Sequence, residues 1–131
     1  MQKGLAIISL LALAAAAPGA AYAAVTPENF RVRTAGDLAD LCAAGNADAM
    51  RTAAINFCEG FLVGTYQTLE EWQMAHKAKL FCPPAHPPTR DEAVQAFATW
   101  VWNSPSEQNE RPADAFLRFL TEKLPCPGGQ Q

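Results

Sequence analysis

Nothing in this chain is apolar for long enough to cross a membrane, no two cysteines stand as C-x-x-C, and no basic patch interleaves with aromatics. Each absence excludes something. The longest apolar run, residues 5–17, is about 13 residues against the ~20 a spanning helix needs, so no membrane association is expected once that run is removed. Without a basic stripe, and with a formal net charge of −3, nucleic acid is not an expected partner. No segment alternates apolar and polar positions with β-branched residues, so no sheet is expected. Histidine is scarce. His76 and His86 flank Cys82 but bring no second ligand pair at zinc-site spacing, so no metal is expected. Nor is there a nucleophile with a base or a working pair of carboxylates. Glu70 and Glu71 are neighbours on a helix and point about 100° apart, which suits a solvated face. His76, next to Lys77 and near Lys79, reads as surface. No catalytic residue and no cofactor is expected, and a small hydrolase is the weakest of the readings considered.

The N-terminus has the layout of a Sec-type export signal. Met1, Gln2 and Lys3 form the basic start, residues 5–17 the apolar core, and Pro18 and Gly19 break the helix. Ala21-Tyr22-Ala23 gives an A-x-A cleavage pattern. Residues 1–23 are therefore expected to be a signal peptide cut after Ala23, with the mature protein in the periplasm. Roughly 110 residues remain, enough for one domain with one core.

Four cysteines lie beyond that cut: Cys42, Cys58, Cys82 and Cys126. An even number behind an export signal predicts two disulfides. Residues 24–33, with a Pro and no helical period, are expected to be a flexible leader, residues 34–126 the folded domain, and residues 127–131 a disordered tail. Within the domain, Thr34 and Asp37 suit a helix start, Leu38, Leu41 and Cys42 share its apolar face, and Gly45 and Asn46 end it. A second helix spans about residues 48–77. Met50, Ala54, Phe57, Phe61, Tyr66, Leu69 and Trp72 form its wide apolar stripe. Its length predicts a bend or an early end near the lysines. Gly60 and Gly64 lie inside it, each costing about 1 kcal/mol relative to Ala, which predicts close packing by a neighbouring helix as the compensation. Pro83, Pro84, Pro87 and Pro88 then make a stiff loop. Thr89 and Glu92 spell a capping box for a third helix, with Val94, Phe97 and Val101 inward and Trp100 beside them. Pro112 opens a fourth, whose apolar face is Ala113, Phe116, Leu117, Leu120 and Leu124. The fold class is all-α: a small antiparallel four-helix domain stapled by two disulfides.

Helix geometry orders the three ways of pairing four cysteines. Along a continuous helix Cys58 and Cys82 would be about 36 Å apart, too far for a bond. Cys82 follows the second helix and Cys126 the fourth, and these ends neighbour each other in an up-down bundle. Cys42 ends the first helix beside the start of the second. The favoured pairing is Cys42–Cys58 with Cys82–Cys126, ahead of Cys42–Cys82 with Cys58–Cys126.

The segments around these cysteines form an ordered set. Leu41-Cys42, Cys58-Glu59-Gly60-Phe61-Leu62-Val63-Gly64, Phe81-Cys82-Pro83, Pro112-Ala113 and Leu124-Pro125-Cys126 together resemble the Rap/Tai immunity-protein family. The resemblance covers nearly all of residues 34–126. It implies a periplasmic, disulfide-bonded helical protein. It also implies a secreted peptidoglycan amidase toxin of type VI secretion as the partner, blocked at its active-site cleft, often by an immunity homodimer. Partner-contacting residues lie outside the shared frame. The candidates come from the loops at residues 83–88 and 104–111 and from the helix end that leads into the second: His86, Trp102, Asn103 and Arg111. His86 reads first as a plain loop residue and second as a partner contact. One of Trp100 and Trp102 is expected in the core, and the other either presents an exposed aromatic or packs over the bundle end. The alternatives to immunity are a periplasmic helical chaperone of acid stress and a family member with no toxin partner.

Overall fold

The computed structural model of the chain describes residues 23–128. The export signal expected over residues 1–23 lies outside them except for Ala23, as do residues 129–131 of the expected tail. The described part holds four helices and no strand: α1 (Ala35–Cys42), α2 (Arg51–His76), α3 (Arg90–Trp102) and α4 (Pro112–Lys123).

Local chemistry sets the helix ends. At α1 the Thr34 hydroxyl accepts from the Asp37 N–H at 3.1 Å, and the Asp37 carboxylate accepts from the Thr34 N–H at 3.1 Å. Both free amide groups are thereby satisfied. Thr89 and Glu92 repeat the device at α3, and Pro112 stands at the first position of α4. α2 stops where the sequence suggested, at the lysines. Lys77 takes a left-handed conformation with φ 51°, and the Ala78 N–H reaches back to the Gln73 carbonyl at 3.0 Å.

The core is built around the shortest helix. In α1, Ala35, Leu38, Ala39, Leu41 and Cys42 are all buried, and the helix packs on α2, α3 and α4. Phe97 and Val101 of α3 and Ala54 and Cys58 of α2 join it in the core, and buried Phe81 packs against Tyr66 of α2 at 5.3 Å. Two disulfides join the pieces as favoured from the helix ends. Cys42–Cys58 has its Cα atoms 5.2 Å apart and Cys82–Cys126 4.9 Å.

Four expectations are corrected. The leader is not loose. Val25 is buried with its N–H on the Asp48 carboxylate at 2.7 Å, residues Asn29–Arg31 form a 3-10 turn, and Phe30 meets Phe57 edge-on at 5.7 Å. The Asn29 side chain accepts from the Thr26 N–H and donates to the Asp40 carboxylate, and these bonds leave no periodic signal in the sequence. The helix packing assigned to Gly60 and Gly64 is absent among the described residues: both are exposed, and a Cβ on either would meet nothing within 4 Å. The apolar line of α2 is shifted in part, since Met50, Phe61, Tyr66 and Leu69 do pack half-buried on the core. Ala54, Cys58 and Leu62 are buried, whereas Phe57 and Trp72 are exposed. On α4 the inward face is Ala115, Phe116, Phe119 and Leu120, with Ala113 exposed.

Candidate functional site

A mismatch of helix lengths creates the main concave feature. α2 has 26 residues and is about 39 Å long, whereas α3 and α4, of 13 and 12 residues, are each about half that. α1, with 8 residues, supports only one end of α2. Beyond Leu62, the sole buried residue of α2 is Gln73. Its side-chain carbonyl accepts from the Leu80 and Phe81 N–H groups at 2.6 and 2.9 Å, tying the returning chain to the helix. The Cys82 N–H donates to the Leu124 carbonyl at 2.8 Å, and the Cys82–Cys126 bond fixes the same junction.

Between the free half of α2 and the α3–α4 pair lies a cleft of about 620 Å³. Leu62, Val94, Phe116, Phe119 and Leu120 form its buried floor. Val63 and Tyr66 form the α2 wall, and Pro83, Pro84, Pro87 and Pro88 the rim. The volume and apolar lining suit a binding surface. Burial pushes the Tyr66 phenol up to about 12, with Glu70 beside it adding to the shift, so this hydroxyl stays protonated. Glu92, at the α3 edge, is held below the usual carboxylate range by the Thr89 N–H and hydroxyl, so it stays ionised.

The second loop, residues 104–111, sits at the other end of α3, about 20 Å from the proline loop. It folds onto the start of α1. The Ala35 and Gly36 N–H groups donate to the Glu110 and Gln108 carbonyls at 2.8 and 2.9 Å. A Cβ at Gly36 would lie 3.1 Å from the Gln108 carbonyl oxygen, so the close approach that needs glycine is here rather than in α2. Arg118 braces the loop through Glu107 at 2.8 Å and Glu110 at 3.1 Å.

The four candidate contact residues are not brought together. His86 is exposed among the rim prolines and does not line the cleft. Trp102 is half-buried against the core, with its indole N–H enclosed and unpartnered and its carbonyl accepting from Gln108. Asn103 is exposed beside Trp100 in a shallower hollow. Arg111 is exposed and pairs with Asp114 at 2.6 Å. Trp100 packs on Phe97 and Phe119 and donates to the Glu122 carboxylate at 2.8 Å, so both tryptophans are half-buried. Sequence reading missed Leu62, Val63, Phe119 and Gln73. The first three carried a signal, as apolar residues one helical step from the stripe. Gln73 carried none.

Among the described residues, no group of three or more His, Cys, Asp or Glu side chains could hold a metal ion, and no helix is long and apolar enough to cross a membrane. All four cysteines are in disulfides. The frame that the disulfides define coincides with a known one: the family model of the Rap1a immunity proteins matches residues 34–126. This chain belongs to the Rap1a immunity protein family. The match opens at the Thr34 cap and closes at Cys126, so it takes in α1 to α4 and both disulfides. Membership points to a toxin effector as the binding partner. No curated protein and no solved structure matches the chain.

Proposed function

We propose that this protein is an exported, non-enzymatic immunity protein that neutralises a peptidoglycan amidase effector of type VI secretion by covering the effector's active-site cleft. The carrying observation is the family match across the whole disulfide-framed domain. The A-x-A signal at residues 21–23 and the two disulfides support a periplasmic site of action reached through the Sec pathway. The loop at residues 104–111 is the favoured contact, because its turns and the Arg118 brace order it before binding. An ordered loop loses less entropy when it docks.

The test is co-expression with a secreted amidase encoded beside this gene. Periplasmic amidase alone should lyse cells, and amidase with this protein should not. If the pair neither binds nor protects, the immunity reading fails.

The same reading includes a homodimer through the outer face of α2. Gly60 and Gly64 weaken the helix, nothing among the described residues packs on them, and Phe57 beside them is exposed. A neighbouring copy would provide the close approach. Sedimentation equilibrium should give a dimer that Gly64→Trp converts to monomer, and a monomeric parent chain would refute this part.

A further inference from the structure

The 620 Å³ cleft is assigned by nothing above, and its chemistry is specific enough to define an occupant. Its α2 wall runs from Glu59 to Glu70, about 16 Å or three helical turns. The facing wall is the first half of α3, and the floor between them is aliphatic and aromatic. An apolar trough three turns long between two helices fits a third helix lying in it, anchored through residues spaced three and four apart. The four rim prolines hold the mouth without side-chain or backbone ordering on binding.

The charges at the rim define the occupant's sign. Arg90 is paired with Glu59 at 3.8 Å, and Lys123 with Glu122 at 2.7 Å. Glu70 on one wall and Glu92 on the other have no cationic partner among the described residues. Two carboxylates without a cationic partner, on facing walls of an apolar trough, complement a segment with basic residues flanking its apolar face. We infer that this cleft receives an amphipathic, positively charged helical segment of a protein partner. The inference rests on the reading that the chain binds a protein, and adds which segment chemistry it takes and where.

The mature chain, with both disulfides formed, is titrated against three labelled peptides of about four helical turns. The first is Leu/Lys in an amphipathic pattern, the second is Leu/Glu in the same pattern, and the third has the Leu/Lys composition scrambled. The first should bind one-to-one and at least about tenfold more tightly than the others. Ala96→Trp fills the cleft from an exposed position and should abolish that preference while leaving the melting temperature unchanged. Glu70→Gln should weaken the Leu/Lys peptide by about three- to tenfold and leave the scrambled peptide unaffected. Equal binding of all three peptides, or Leu/Lys binding indifferent to both substitutions, overturns the inference. So does a cleft that takes only dodecyltrimethylammonium monomers, or a dimer that Ala96→Trp dissociates with no peptide bound. Failure here with protection against the amidase intact removes the cleft assignment alone. Peptide binding without any protection removes the immunity reading alone.

Discussion

The two halves of α2 live in different surroundings. From Arg51 to Leu62 the helix lies against α1, shares the fully enclosed Cys42–Cys58 bond with it, and contributes Ala54, Cys58 and Leu62 to the core. From Val63 to His76 only Gln73 is fully buried, Tyr66 and Leu69 pack half-buried on the core with Tyr66 against Phe81 at 5.3 Å, and two hydrogen bonds and the half-exposed Cys82–Cys126 strap hold the end. The first half is fixed by dense packing, the second by sparser packing and tethers. A helix fixed at one end and tethered at the other can offer an apolar wall to a partner without collapsing onto its own core. The cleft therefore follows from how unevenly this helix is supported.

Removing the tethers should have the largest effect. Cross-linking loops of 16 and 44 residues contributes about 3 and 4 kcal/mol respectively in the chain-entropy account. Together these rival the whole stability of a small domain, about 5–15 kcal/mol. The reduced and alkylated chain should lose its helical circular-dichroism signal at room temperature, and a reduced chain that still melts cooperatively near the oxidised temperature would contradict this. Selective loss of Cys82–Cys126 should open the cleft end first, read as fast amide exchange in residues 63–82 while α1 stays protected.

Next in size is a pair of truncations that measures the asymmetry directly. Leu41→Ala, in the fully buried hub, should cost about 2–5 kcal/mol. Val63→Ala, on the half-exposed cleft wall, should cost at most about 1 kcal/mol. Urea denaturation of the two variants decides it. Similar losses would mean that the wall is as tightly packed as the hub.

How much of this the sequence carried depends on how local the cause was. The caps at Thr34 and Thr89 are four-residue devices, and both could be read directly. The disulfide pairing followed from helix lengths and ends, because a rigid rod excludes Cys58–Cys82. The folded leader did not show, since Asn29 and Asp48 act through side-chain bonds to distant residues. The stripe of α2 was misplaced in part. The buried line Ala54–Cys58–Leu62 lies one residue round the helix from Phe57 and Phe61, and in so wide an apolar stripe spacing alone does not choose between them. The cleft was invisible because it arises from three helices of unequal length meeting at one strap, and no window of sequence contains that.

Gly60 and Gly64 offer a smaller and cleaner test. Both face open space, so alanine should relieve the backbone cost without a clash and stabilise the chain by about 0.5–1 kcal/mol at each position. The measurement belongs at low protein concentration, where the isolated chain is observed. A loss of stability there would require a packed neighbour on the outer face of α2 within the same chain, contrary to the open space seen.

The smallest effect concerns Asp40, on the well-packed side. Burial raises its pKa first, the nearby Asp37 charge raises it further, and the Asn29 amide only partly offsets both. One carboxylate oxygen accepts from Asn29 at 3.1 Å, and the other is buried without a partner. A folded-state pKa above the unfolded value means that the fold favours the protonated acid. Ionisation therefore costs stability, fully so above the folded pKa and not at all below the unfolded value. Asp40→Asn keeps an acceptor for Asn29 and removes the charge. It should be slightly more stable than the parent near neutral pH, with the difference shrinking as pH falls into the carboxylate range. Half-exposure screens the charge, which keeps the gain small. Thermal melts of both proteins from neutral to acid pH would show the two curves converging, whereas a gap that widened on acidification would mean that ionised Asp40 stabilises the turn at Asn29–Arg31 through Asn29.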